Sequence, residues 1–259
     1  MIIDTHCHAG RNWFEPIETL EAVMNKNGVD GAVLIQHGGT YDNDYLFQVA
    51  AARGGRFKVV VLVDPDDEDP LGALTRLSEQ GAAGVRLYPR ETFAKVDKLD
   101  VWRHAGELGM VVSAMGSCSE FASDDFARIV DGCPDTQIVI EHLAGAKPDE
   151  EPFTDFEGAL KLAQRSNTTI KVPGLGEIAR RPARLQPECH FDEVPPLFEK
   201  AIDAFGAQRM MWGSDFPPCA GREGYANALN GVRNHPAFAN GDDVEWVLGK
   251  AAMKIWRFE

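Results

Sequence analysis

Residues 1–8 read MIIDTHCH: a short apolar run that ends in an aspartate and two histidines separated by a cysteine. Residues 16–27, PIETLEAVMNKN, follow with apolar positions at helical spacing. Pro16 sits where a first helical turn tolerates proline, and Gly28 stands where a left-handed cap is expected. A strand followed by a helix is one unit, and the unit recurs. Strand-like runs fall at residues 2–5, 32–36, 58–63, 84–88, 110–114, 137–142, 168–172 and 209–213. Helical spacing lies between them at 16–27, 70–80, 101–108, 124–131, 156–165 and 194–205, with Pro70 at a helix start and Gly81, Gly109 and Gly206 as further caps. Strands alternating with helices pair in parallel through right-handed crossovers. Eight such units in about 215 residues, then a helical tail, predict an α/β protein built as one (β/α)8 barrel domain over residues 1–259. An open doubly wound sheet is the alternative, but no GxGxxG follows the first strand, which weakens a dinucleotide-binding reading. The stretches KPDEEPFTDFE and ARRPARLQPECHFDEVPP read as loops within that domain.

Composition narrows the partners. A 44% hydrophobic content supports a sizeable core. Lysine and arginine total 26 against 40 aspartates and glutamates, a net charge of −14, which argues against nucleic acid or an anionic membrane as the main partner. No apolar run reaches the roughly 18–20 residues of a membrane span, and the start lacks the basic and apolar regions of a signal peptide. A cytoplasmic protein is the expectation. Cys7, Cys118, Cys133, Cys189 and Cys219 form no CxxC pair and read as reduced thiols.

In such a barrel the site lies where the strands end. Strand alternation places Asp4, His6 and His8 on one face, where two imidazoles can chelate a divalent cation or act on a carbonyl, or can be no more than a polar strand end. His142 ends the sixth strand, and Asp215 leaves the eighth as a helix cap or as a base. The three signals converge on one mouth if the barrel closes. Arg86 and Tyr88 share a face of the fourth strand, and Arg90 follows in the loop; either arginine can grip a carboxylate or form a structural ion pair. Lys171 lies within an apolar strand and needs a partner, a substrate or an exit to solvent. His190 reads as a solvated loop histidine or one that hangs over the mouth, and Arg222, Glu223 and Tyr225 either line the pocket or cap the next helix, whereas His37, His104 and His235 read as surface or packing residues. Cys118 has no base beside it in sequence.

IDTHCH (3–8), GVRLYP (84–89), IVIEHLAG (138–145), IKVPGL (170–175) and RMMWGSDFP (209–217), in this order, resemble the amidohydrolase superfamily. The likeness is to its amidohydrolase-related branch of sugar lactonases, pyrone-dicarboxylate lactonase and non-oxidative decarboxylases. REGYANAL (222–229) and VLGKAAMKIW (247–256) extend it over nearly the whole chain. The resemblance implies a hydrolase of a small cyclic ester, with Asp215 as general base and His6, His8 and His142 polarising the carbonyl. It implies that the same four residues would hold a divalent metal, zinc being the expected ion, or would work without one. Metal-dependent members carry a histidine or lysine after the middle strands. Here Ser113, Ala114 and Met115 stand there, as in the lactonase group, some of whose members need no metal. Arg86, Tyr88, Arg90 and Lys171 are the candidate anchors for an anionic or sugar-acid substrate. A metal-dependent decarboxylase or hydratase of the same branch is the alternative, and a non-catalytic ligand-binding barrel a second. Oligomeric state stays open, a homodimer being common among such relatives.

Overall fold

The computed structural model of the chain describes residues 1–186, 190–191 and 193–259; Cys189 lies outside them. Eight parallel strands run in chain order around one sheet: β1 (Ile3–Cys7), β2 (Gly31–Ile35), β3 (Phe57–Val61), β4 (Gly84–Leu87), β5 (Val111–Ala114), β6 (Ile138–Ile140), β7 (Thr168–Val172) and β8 (Met210–Trp212). The strands are buried on both faces, which is why they read as β-branched runs with little polar alternation. Helices cover the outside, and the predicted glycine caps Gly28, Gly81, Gly109 and Gly206 all take positive φ. Asp69, Asp97 and Ser123 cap helices by accepting backbone N–H bonds.

The ring closes at its upper end. The N–H of Asp215 donates to the His6 carbonyl at 2.8 Å, and that of His8 to the Phe216 carbonyl at 2.8 Å. Cys7 and Phe216 form a parallel bridge, and the Thr5 hydroxyl donates to the Trp212 carbonyl at 2.7 Å. The seam between first and last strands is therefore made by the segments that carry His6, His8 and Asp215.

The lower end is plugged from the C-terminus. Ile3, Val33, Val60, Val111, Val139 and Met211 pack with Ala251, Ala252, Trp256 and Phe258 in one buried cluster. Helix Ala251–Trp256 supplies the plug, and the Trp256 indole N–H points at the Met211 sulfur, 3.4 Å away. Two strand-opening glycines make room: a Cβ on Gly31 would meet the Phe258 ring at 3.0 Å, and one on Gly84 the Trp256 ring at 3.0 Å.

Two sequence expectations change. β6 and β8 are only three residues long, so His142 and Gly213 stand in the loops beyond them. Helices Asp44–Ala51 and Tyr225–Arg233 add to those the periodicity marked. Cys7, Cys118, Cys133 and Cys219 are buried free thiols. Among the described residues no helix is long and apolar enough to cross a membrane.

Candidate active site

The alternation expected for the first strand is broken by a bulge. β1 pairs Asp4 with Ala32 but Cys7 with Leu34, so three steps on one strand match two on the other. The bulge reverses the phase. Ile3 packs into the barrel floor, while Asp4 turns to the seam and accepts bonds from the Ser214 N–H (2.9 Å), the Ser214 hydroxyl (2.6 Å) and the Tyr225 hydroxyl (3.0 Å). His6 and His8 are left to face the mouth without it.

His6, His8, His142 and Asp215 come together there, each less than a tenth exposed. His6 Nε2 lies 3.2 Å from His142 Nε2 and 3.9 Å from Asp215 Oδ1, and His8 Nε2 lies 3.5 Å from the same oxygen. Two of the four sit on backbone that L residues rarely adopt. Asp215 has φ +56°, and His142 opens a left-handed turn in which His142, Leu143, Ala144 and Gly145 take φ +50°, +48°, +59° and +79°. Such strain is concentrated where geometry serves a site.

The ring nitrogens form an ordered chain. Lys171 Nζ donates to His6 Nδ1 at 3.1 Å and to the Ser113 hydroxyl at 3.0 Å, and that hydroxyl donates to Glu141 Oε1 at 2.6 Å. A neutral His6 that accepts at Nδ1 carries its proton on Nε2, which faces His142 Nε2 as donor. His142 Nδ1 in turn donates to Glu177, 2.9 Å away, and His8 Nδ1 donates to the Ile35 carbonyl at 2.7 Å. Burial, reinforced by Lys171, holds His6 well below the usual imidazole range. Burial also opposes the charged form of His142, but Glu177 outweighs it and the net shift is upward.

Carboxylates and cations alternate around the imidazoles. Arg86 grips Glu141 Oε2 through Nε and Nη2 at 3.1 and 2.8 Å, and Lys171 Nζ stands 3.5 Å from Oε1. Burial pushes Glu141 up, yet Arg86 and Lys171 prevail and its carboxyl stays far below the ordinary range. Arg222 Nη1 donates to both Asp215 (3.0 Å) and Glu177 (3.1 Å). Burial works against Asp215 as well, but His8, 3.5 Å away, and the Arg222 guanidinium hold it ionised below its usual value. Glu223, pushed by burial up to about 7, fits against Gly174 and Gly176, where any Cβ would strike its carboxyl.

The candidate substrate anchors separate. Arg86 and Lys171 are buried on Glu141, Tyr88 lies half-buried beneath the Arg86 guanidinium, and Arg90 is exposed and paired with Glu120 at 2.9 Å. His190 borders a cavity with Arg222 and Glu223, and Tyr225 belongs to Asp4. Sequence reasoning missed Glu141 and Glu177. Glu141 immediately precedes His142, so the strand-end rule already pointed at it.

The donor set can hold a cation. His6, His8 and Asp215 present donor atoms within 4.8 Å of one another, as do His6, Glu141 and His142. Separations of 3.2–3.9 Å suit a tetrahedral ion with bonds of about 2.1 Å, whose ligand atoms lie about 3.4 Å apart. The residues fit, with one condition: ligation at His6 Nε2 requires its proton to move to Nδ1, where Lys171 now donates.

An eight-stranded parallel barrel with buried imidazoles and carboxylates at its C-terminal mouth defines a metal- or acid–base-assisted hydrolytic barrel. The amidohydrolase family profile matches residues 3–258, and the chain belongs to that family. Of the solved structures it resembles, one is of a protein described as a 2-pyrone-4,6-dicarboxylic acid hydrolase from Pseudomonas putida. It is 20% identical, with a TM-score of 0.78 over 100% of this chain and 98% of that one. Another is a zinc-bound amidohydrolase from Burkholderia multivorans, 16% identical, with a TM-score of 0.81 over 100% of both chains. Identities this low establish the fold. An uncharacterized protein, y4mH, of Sinorhizobium fredii is 30% identical over 95 residues, 36% of this chain and 30% of that protein's length.

Proposed function

We propose that the chain hydrolyses a small cyclic ester, with Asp215 as the general base. The observation that carries this reading is the place of Asp215 Oδ1 at the mouth, 3.5 Å from His8 Nε2 and 3.9 Å from His6 Nε2, with Arg222 on its other oxygen. Asp215 takes a proton from water as the water oxygen bonds to the ester carbonyl carbon. The N–H of His6 Nε2, turned from His142 to the carbonyl oxygen, stabilises the charge that develops there. The C–O bond of the ring then breaks, and Asp215 returns the proton to the leaving alkoxide, giving a hydroxy acid. A divalent cation held by His6, His8, His142 and Asp215 would supply Lewis-acid polarisation of water and carbonyl. Arg86 and Lys171 act by holding Glu141 and His6. An organic-acid lactone is the substrate class we favour, since the Pseudomonas protein's description names a carboxylated pyrone.

A panel of carboxylated pyrones and sugar lactones followed by acid release tests the reading. Asp215→Asn is expected to lower kcat by about a thousandfold or more with little change in KM; a fully active variant removes the assignment. The fit of the donor set to a cation favours a second reading, metal-dependent decarboxylation of an aromatic acid. Release of carbon dioxide instead of acid, lost on chelation and restored by zinc, would select it.

A further inference from the structure

The reactive groups are deeply set: His6 is 1%, His8 5%, His142 8% and Asp215 9% exposed, so little of their surface is open to a substrate. One side chain lies across the mouth. The Phe14 ring stacks on the His8 imidazole, centroids 4.9 Å apart and planes inclined by 21°, and meets the edge of His37 at 4.9 Å. Phe14 is 40% exposed, so water already reaches its outer side. Its backbone takes φ +60°, a conformation an aromatic residue holds only under constraint.

Phe14 stands in a short loop closed at its base. The Gly10 N–H donates to the Glu15 carbonyl at 3.0 Å, which ties the two ends of a loop in which Arg11 is held to Gln48 at 2.8 Å and residues 12–14 form the flap. Glycine is required at the tie, because a Cβ there would lie 2.3 Å from the Trp13 carbonyl oxygen. Beside the flap is a cavity of about 310 Å³, lined by Gly10, Trp13, Gln36, His37 and Tyr45, into which a displaced ring can move. His37 Nδ1 is buried without a hydrogen-bond partner among the described residues, next to the ring that would leave.

We propose that Phe14 is a gating residue: its ring fills a ring-stacking slot between His8 and His37, and the substrate enters by displacing it. The proposal rests on the hydrolase reading for its chemistry and adds the way the site is opened. The slot takes a flat ring of phenyl size. It presents the face of one imidazole and the unpaired nitrogen of another, and a puckered ring would keep only edge contacts with that face.

Calorimetric titration with benzoate and with cyclohexanecarboxylate, its puckered counterpart of equal charge, tests this on the full-length chain. Phe14→Ala is expected to bind benzoate at least tenfold more tightly than wild type, and at least tenfold more tightly than it binds cyclohexanecarboxylate. Carbethoxylation of His8 by diethylpyrocarbonate, read on its peptide by mass spectrometry, is expected to be at least tenfold faster in Phe14→Ala. In wild type, benzoate is expected to shift the emission of Trp13, which is 72% exposed. Equal benzoate affinity in the two proteins, no binding by either, unchanged His8 reactivity or an unmoved Trp13 spectrum each overturns the gate. Benzoate has no ester to open. A wild type that binds it as expected but hydrolyses no lactone removes the hydrolase reading and leaves the gate standing.

Discussion

Lys171 decides what His6 can be. Its ammonium points at His6 Nδ1, so the other nitrogen keeps its proton and serves as a donor. It also balances the cluster, in which Arg86, Lys171 and Arg222 stand against Glu141, Glu177 and Asp215. Replacing it with methionine frees Nδ1 to take the proton and leaves one carboxylate charge unmatched. Both changes favour a dication. Lys171→Met should therefore raise zinc affinity at least tenfold, measured by competition with a fluorescent chelator near neutral pH; unchanged or weaker binding would show that the lysine does not set the tautomer. A second expectation follows from its burial, which lowers the lysine to about 8 against the pull of Glu141. Between that value and its unfolded pKa of about 10.4 the unfolded chain holds a proton the folded chain lacks. Stability contributed at this position thus rises with pH across that window, by on the order of 3 kcal/mol. Urea unfolding at pH 7.5, 9 and 10 should show wild type gaining on Lys171→Met; a difference that stays flat would mean that Lys171 remains charged throughout.

At the scale of elements, what the sequence showed was what is encoded locally. Eight strand runs and the glycine caps Gly28, Gly81, Gly109 and Gly206 were legible because β-branched stretches and left-handed caps depend on a few adjacent residues. His6, His8, His142 and Asp215 were found by asking what ends each strand, and the structure brings all four to one mouth. The facing of Asp4 was not legible, because one extra residue in β1 inverts an alternation that no local signal interrupts. Nor were the partners of Arg86 and Lys171, since Glu141 lies 55 residues from one and 30 from the other and only barrel closure joins them. The helix Ala251–Trp256 marks the same limit: a helical tail was legible, but its place beneath the strands was not. Trp256 is 2% exposed there, and its loss should cost about 3–5 kcal/mol. Gly84→Val should be similarly costly, since its Cβ would lie 2.4 Å from the Val111 carbonyl and 3.0 Å from the Trp256 ring. Urea midpoints within a few tenths of wild type for both variants would deny the C-terminal helix its role as plug.

For the whole molecule, closing the barrel and assembling the site are one event. β1 meets β8 mainly through the bonds of Thr5, His6, His8, Asp215 and Phe216 at the mouth. Asp4 clamps that seam. Its carboxylate accepts from the Ser214 N–H and hydroxyl, the Tyr225 hydroxyl and, at 3.1 Å, the His6 N–H. Asp4→Ala leaves these donors buried and unpaired, at a cost of about 3 kcal/mol or more. Ser214→Ala removes one side-chain donor and the acceptor of the Phe216 N–H (3.0 Å), and should cost less, about 1–2 kcal/mol. If seam and site are a single unit, the larger loss should be accompanied by faster hydrogen exchange at the amides of His8 and Asp215, while the amides of β3 to β5 keep their protection relative to global unfolding. Uniform acceleration of all strands would mean that Asp4 serves stability alone. Selective acceleration at the seam would establish that the hydrogen bonds closing the barrel are those that hold the imidazoles and the carboxylate in register.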